Sequence, residues 1–148
     1  MPNPQPNNAA LRAALEFLRA RDRFVAELRA HLASKRYEAG DVETVVQLLI
    51  ERRLIEDDRT TRNLIEQRSG KRAIGTGRIR LELESLGADP AAVERYIDEI
   101  GQTESERALD ALRAKYKTGA ERAKAGRFLI GRGFDEDAVE SALDAFCG

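Results

Sequence analysis

Residues 83–93 read LESLGADPAAV, and residues 129–139 repeat the pattern as LIGRGFDEDAV. In both stretches an apolar helical run ends at a glycine, Gly87 or Gly133. Glycine adopts the left-handed backbone conformation that closes a helix without a steric penalty. These two stretches therefore predict a helix–turn–helix unit that occurs more than once in the chain.

The residues beside the glycines support the same register. Asp89 and Asp135 occupy the position that caps the next helix, and Pro90 suits its first turn. An earlier copy departs from this pattern, because Arg36 stands where the others have glycine and Glu38 is a poorer cap than aspartate.

Five apolar positions align in three copies at spacings of 51 and 46 residues. The aligned sets are Leu28, Ile79 and Ala125; Leu32, Leu83 and Leu129; Tyr37, Ala88 and Phe134; Val42, Val93 and Val139; and Val46, Ile97 and Leu143. Repeats of this length are typical of stacked helical arrays. An ordinary helical bundle with chance similarity is the alternative.

Helical periodicity continues from Ala9 to the end and no segment alternates with period two, which predicts nine helices and no strands. We therefore predict an all-α chain of three tandem three-helix repeats at residues 9–55, 56–101 and 102–148, after a disordered tail at 1–8. The repeats are expected to form an elongated, curved array of right- or left-handed sense.

Composition excludes several classes of protein. The 148 residues are 34% charged, and no apolar run is long enough to cross a membrane. The polar N-terminus lacks the features of a signal peptide, and Cys147 has no cysteine to pair with. These features lead us to expect a cytoplasmic protein with no membrane partner.

No motif predicts catalysis, a metal or a cofactor. Gly75-Thr76-Gly77 precedes a helix but follows no strand, so we interpret it as a loop and not as a phosphate site. Asp57 and Asp58 are better explained as helix-capping residues than as metal ligands. His31 is interpreted as a surface or packing residue.

Charge alternates along the chain in blocks. The net charges are +4 for residues 1–36, −5 for 37–58, +6 for 59–80, −7 for 81–111, +6 for 112–132 and −5 for 133–148. Stacked repeats would align the basic blocks into one stripe suited to DNA phosphates or an acidic protein surface. Its predicted members are Arg19, Arg21, Arg23, Arg68, Lys71, Arg72, Arg78, Arg80, Arg122, Lys124 and Arg127. The alternative is that these cations pair with the acidic blocks of adjacent helices or are solvated.

The central third of the chain resembles the RecX family. Residues 54–58 read LIEDD, residues 75–83 read GTGRIRLEL, and Leu86-Gly87 closes the helix. These match that family's Asp-Asp turn, Gly-x-Gly, and Arg-Ile-x-x-Glu-Leu helix ended by glycine. The resemblance covers roughly residues 10–147, although Thr61 and Arg62 replace the family's usual Phe-Ala pair.

The resemblance implies a cytoplasmic regulator that binds RecA filaments and restrains their ATPase and strand-exchange activity. We expect a monomer without enzymatic activity, with single- or double-stranded DNA as a further candidate ligand. Two other functions remain open: a nucleic-acid-binding repeat module without a recombinase partner, and a repeat scaffold for a different protein.

The predicted architecture can be tested by small-angle X-ray scattering. Because each repeat would contact only its neighbours, the distance distribution should be asymmetric, with a long tail. A symmetric distribution, typical of a sphere, would contradict an open array.

Overall fold

The computed structural model describes residues 5–69 and 73–148. Within those residues the chain forms nine α-helices and no strands, which confirms the predicted all-α fold class. In chain order the helices are α1 (Asn8–Ala20), α2 (Val25–Ser34), α3 (Ala39–Glu51), α4 (Asp57–Arg68), α5 (Thr76–Leu86), α6 (Pro90–Asp98), α7 (Glu104–Lys115), α8 (Arg122–Gly131) and α9 (Glu136–Cys147). None of these helices is long and apolar enough to cross a membrane.

Helix α1 begins within the segment that the sequence assigns to a disordered tail. The Asn7 side chain accepts hydrogen bonds from the amides of Ala9 and Ala10, so Asn7 caps the helix and Asn8 is its first residue. An asparagine cap satisfies amides that a helix start leaves unpaired. The helix therefore starts one residue before the predicted boundary at residue 9.

The described chain divides into two compact units. The first contains the described residues up to Thr60 together with Leu86–Ala88, and the second contains the remainder. This division reflects spatial contact and does not test the repeat boundaries, which remain predictions.

Each unit has an aliphatic core. In the first unit Leu28, Leu32, Val46 and Leu49 are buried together. In the second unit the core includes Leu112, Ala125, Leu129, Phe134 and Leu143. Small buried residues on the first helix of a unit, such as Ala10 and Ala14, and on α7, such as Ala108, allow the helices to approach closely.

The aligned positions are buried in a way that is consistent with a tandem repeat. The members buried in all three copies are Leu28, Ile79 and Ala125; Leu32, Leu83 and Leu129; and Val42, Val93 and Val139. In the two other aligned sets, Tyr37 and Ile97 are only half-buried. Burial at equal positions means that each copy presents the same helix faces to its core.

The predicted helix ends are confirmed. Gly87 and Gly133 have φ values of 112° and 85°. Asp89 accepts from the amide of Ala91, and Asp135 from that of Ala138. These contacts fix where the second helix of a repeat stops and the third begins.

Arg36 adopts the left-handed conformation that the other two copies give to glycine, with φ at 67°. Gly87 and Gly133 have a second constraint, because an added Cβ would lie 2.7 Å from the Cβ of Ala26 or of Arg78 respectively. Arg36 is exposed and so tolerates a side chain. The first copy therefore bears the backbone strain without a steric clash.

We predict that Arg36→Gly raises the free energy of unfolding by about 0.5–1 kcal/mol, because relief of left-handed strain exceeds the flexibility that glycine adds to the unfolded chain. Gly133→Ala, the reverse change at the aligned position, should lower it by about 2 kcal/mol through strain and the clash with Arg78. Urea denaturation followed by circular dichroism measures both changes. The two substitutions are expected to change stability in opposite directions. If both raised or both lowered the free energy of unfolding, positions 36 and 133 would not be equivalent.

Candidate interaction surface

A pair of hydrogen bonds joins the start of α4 to the start of α2. The Asp57 carboxylate accepts from the amide of Val25 at 2.8 Å, and the Thr60 hydroxyl donates to the carbonyl of Arg23 at 3.2 Å. Burial raises the pKa of Asp57, and the hydrogen bond from Val25 opposes that rise. Asp57 thus stands in the first turn of its own helix and also caps another.

The start of α7 makes the same pair of bonds to the start of α5. The Glu104 carboxylate accepts from the amide of Thr76 at 3.0 Å, and Arg107 donates to the carbonyl of Ile74 at 2.6 Å. Thr76 and Ile74 lie 51 residues after Val25 and Arg23, which is the repeat spacing. Each joint therefore links the first helix of one repeat to the second helix of the preceding repeat.

The second joint also settles how Gly75-Thr76-Gly77 is used. Glu104 accepts from both the amide and the hydroxyl of Thr76, so a carboxylate already occupies the start of α5. Gly75 is buried, and its amide donates to the carbonyl of Arg132 at 2.9 Å. Gly75 thus belongs to a packed connection between helices, as predicted, whereas Thr76 and Gly77 already lie in the first turn of α5. The segment is not an open phosphate site.

Arg107 is the most deeply buried charged side chain of the described residues, with 2% of its surface exposed. Besides Ile74 it donates to the carbonyl of Arg68, at the end of α4, at 3.4 Å. Its Nε and Nη1 have no hydrogen-bond partner, and burial lowers its pKa. The Arg107 guanidinium lies at the C-terminal end of α4, where the negative end of the helix dipole stabilises a positive charge.

Many cations of the predicted stripe form ion pairs within their own helix or with a nearby one. The pairs are Arg21 and Arg23 with Glu27, Arg68 and Arg78 with Glu82, Arg80 with Glu94, and Arg122 with Glu140 and Asp144. Except for the two pairs with Glu27, which stay within one basic block, these contacts follow the alternative in which basic and acidic blocks pair with each other. Exposed pairs of this kind add little to stability and still leave charge accessible to a ligand.

Two of the ion pairs are equivalent by repeat. Arg29 pairs with Glu43 between α2 and α3, and Arg80 pairs with Glu94 between α5 and α6. The pKa values of both glutamates are lowered, chiefly by the hydrogen bond from the arginine. The third copy has Gly126 at the aligned position, and Arg122, one turn earlier, makes the pair instead. Sequence analysis missed this regularity, although placing the charges on the repeat register would have found it.

Arg23 also has an aromatic contact, and the stripe residues without an ion pair have other surroundings. Arg23 lies over the ring of Phe17, which also stacks on His31, and Lys124 lies over the ring of Tyr116. The contact of His31 confirms its interpretation as a packing residue. Arg19 and Arg127 are exposed. Lys71 and Arg72 lie outside the described residues.

Two of the stripe residues, Arg78 and Arg127, line an open groove of about 540 Å³ in the second unit. The residues that line it are Ile74, Arg78, Arg127, Phe128, Gly131 and Arg132. We call this the basic groove, because its lining contains three arginines and no acidic residue. Arg132 lies over the Phe128 ring at 4.8 Å and donates to the carbonyl of Ala73. Arg132 was not among the predicted members of the stripe.

The basic groove can bind anionic groups through guanidinium donors held on an apolar floor. Arg78 is fixed at both ends, since it pairs with Glu82 at 3.3 Å and donates to the carbonyl of Gly131 at 2.8 Å. Among the described residues, no group of three or more His, Cys, Asp or Glu side chains could hold a metal ion. The arginines that line the groove are suited to binding an anionic partner by charge and shape.

This arrangement of helices occurs in solved structures of one class of bacterial regulator. RecX from Lactobacillus salivarius matches over 95% of this chain and 96% of its own, with a TM-score of 0.72 and 19% identity. A second crystal structure, of regulatory protein RecX, matches over 93% of this chain and 72% of its own, with a TM-score of 0.71 and 20% identity. These likenesses show that the fold is that of the RecX regulators.

Sequence similarity identifies the family. The chain is 30% identical over 144 residues to Regulatory protein RecX of Herbaspirillum seropedicae, covering 95% of this chain and 92% of the relative. It is 32% identical over 143 residues to that of Vibrio parahaemolyticus, covering 93% and 92%. No family model matches the chain. The chain belongs to the RecX family of regulatory proteins.

Gly75 directly follows Ile74, a residue that lines the basic groove. Substitution of Gly75 therefore tests whether its close packing holds this part of the structure in place. In Gly75→Ala the new Cβ would lie 1.9 Å from the carbonyl oxygen of Gly133, so backbone must move and we expect a loss of about 3 kcal/mol in stability. Gly77→Ala meets nothing within 4 Å and should gain about 0.5 kcal/mol from helix propensity. Urea denaturation compares the two variants. A Gly75→Ala protein as stable as the unaltered chain would contradict the close contact.

Proposed function

We propose that this protein binds a RecA-type recombinase filament and lowers its ATPase and strand-exchange activity, without catalytic chemistry or a cofactor of its own. The observation that carries this proposal is membership of the RecX family over nearly the whole chain. We further propose that the protein acts in the cytoplasm as a monomer made of three repeats.

We place binding on the basic groove and, more widely, on the exposed cations of the predicted stripe. In the groove, neither Arg127 nor Arg132 has an acidic partner among the described residues, and Arg78 shares Glu82 with Arg68. The local charge is therefore positive, although the chain as a whole carries −1. Such local charge steers association with an acidic surface and fixes the orientation of binding.

A second candidate is a nucleic-acid-binding module without a recombinase partner. The arginines of the basic groove favour it, because guanidinium groups bind phosphate oxygens through two hydrogen bonds. For binding of that kind, the logarithm of the binding constant would fall linearly with the logarithm of salt concentration. Such binding would not need a recombinase. The two functions therefore differ in whether the protein affects filaments at levels too low to coat the DNA.

The test is the rate of ATP hydrolysis by a RecA-type recombinase on single-stranded DNA, with this protein added below one copy per recombinase subunit. We expect hydrolysis to slow. Arg127→Glu should raise the concentration needed for half-inhibition about tenfold, because it reverses an accessible charge in the groove. Lys117→Glu, which makes the same charge change at an exposed turn outside the groove, is the matched control.

If the unaltered protein never slows hydrolysis but binds a bare oligonucleotide, the nucleic-acid module is favoured. If both variants weaken inhibition equally, total charge matters and the groove does not. Helical circular dichroism of each variant should match that of the unaltered chain, since both residues are exposed.

A further inference from the structure

Two aliphatic side chains on the helices that contribute to the basic groove are largely exposed. Leu81 on α5 is 72% exposed and Ile130 on α8 is 62% exposed, more than any other large hydrophobic residue described. A single exposed leucine is common on soluble proteins and needs no explanation. These two residues, however, lie on the two helices that contribute arginines to one groove.

A hydrogen bond connects the two positions. Arg78, three residues before Leu81 on α5, donates to the carbonyl of Gly131, the residue that follows Ile130. On α8, Arg127 precedes Ile130 by three residues, a spacing that places both on the same helix face. Each exposed aliphatic residue is thus within one helical turn of an arginine that lines the groove.

Apolar surface and charge together identify the kind of partner. Contacts to nucleic-acid phosphates are made by cations and polar donors, and an aliphatic side chain adds nothing to them. Exposed apolar residues next to a charged site are instead characteristic of protein interfaces, where they form a dry centre within a polar rim. A second copy of this chain fits poorly, because a two-fold contact would bring one basic groove against another.

We infer that Leu81, Ile130 and the basic groove form a docking surface for a protein segment that carries acidic residues around an apolar side chain. The inference rests on the proposed function, and it assigns the groove to the recombinase protein and not to the DNA within the filament. The apolar contact would supply stability to the complex, and the arginines would set its orientation.

The test is the double variant Leu81→Gln with Ile130→Gln, which removes apolar surface and leaves every charge in place. Binding is measured to a RecA-type filament assembled on a single-stranded oligonucleotide, and separately to the same bare oligonucleotide. We expect filament affinity to fall about tenfold or more, because two apolar contacts at the centre of an interface are lost. Affinity for the bare oligonucleotide should not change.

Leu54→Gln in the first unit provides the matched control, since Leu54 is 52% exposed and lies outside the groove. Its filament affinity should stay within about twofold of the unaltered chain. The helical circular-dichroism signal of both proteins should be unchanged, because none of the three side chains belongs to a core.

Three results would overturn the inference. Filament affinity of the double variant could equal that of the unaltered chain, its affinity for bare oligonucleotide could fall equally, or the unaltered chain could form a dimer that the double variant does not. In each case the unaltered chain still binds filaments, so filament regulation stands, and only the dimer would also contradict the proposed monomer. If the unaltered chain does not bind filaments at all, the proposed function fails and the inference fails with it.

Discussion

The structure depends on one hydrogen bond that recurs between repeats. A carboxylate on the first helix of one repeat accepts it, and the backbone amide at the start of the second helix of the preceding repeat donates it. Asp57 does this for Val25 and Glu104 does it for Thr76. A helix start leaves several amides without partners, and here the next repeat supplies the acceptor. The bond joins residues 32 and 28 positions apart, so it fixes tertiary structure and helix capping together. The aliphatic core is thin, and such joints add direction to contacts that hydrophobic burial alone would leave unspecified.

The second bond of each joint shows how the same geometry accepts different chemistry. Thr60 makes it with a neutral hydroxyl, whereas Arg107 makes it with a buried guanidinium that leaves two nitrogens unpaired. A hydroxyl is therefore sufficient for the joint. The larger arginine also reaches the carbonyl of Arg68, and so it holds both the end of α4 and the approach to α5. Because Ile74 lines the basic groove, the Arg107 bond also fixes part of the groove wall.

Sequence predicted the helices well because their signals are local. The glycine and aspartate pairs at Gly87 and Asp89, and again at Gly133 and Asp135, specify turns from a few adjacent residues. The joints were not predictable in this way, because Asp57 reads as a cap for the helix that follows it, and only the fold brings Val25 to it. The ion pair of Arg80 with Glu94 was not predictable for a related reason. The net charges of successive blocks show that opposite signs alternate along the chain, but they do not show which side chains form pairs. Among the groove residues, Arg78 and Arg127 were predicted from charge alone, whereas Arg132 was not.

Charge in this protein therefore has two roles that a count of residues cannot separate. Arg80 and Arg122 are paired with acidic residues of the neighbouring helix, and this pairing recurs at the second-to-third helix contact of the repeats. Arg127 and Arg132 have no acidic partner among the described residues. They belong to the copy that has Gly126 at the position where the other two copies have a paired arginine. In this copy Arg122, one turn earlier, makes the equivalent ion pair with Glu140. Arg127 lies later on α8 and Arg132 directly follows that helix, and both line the basic groove. The repeat thus supplies the scaffold, and the departures of the third copy from it coincide with the groove on which we propose binding.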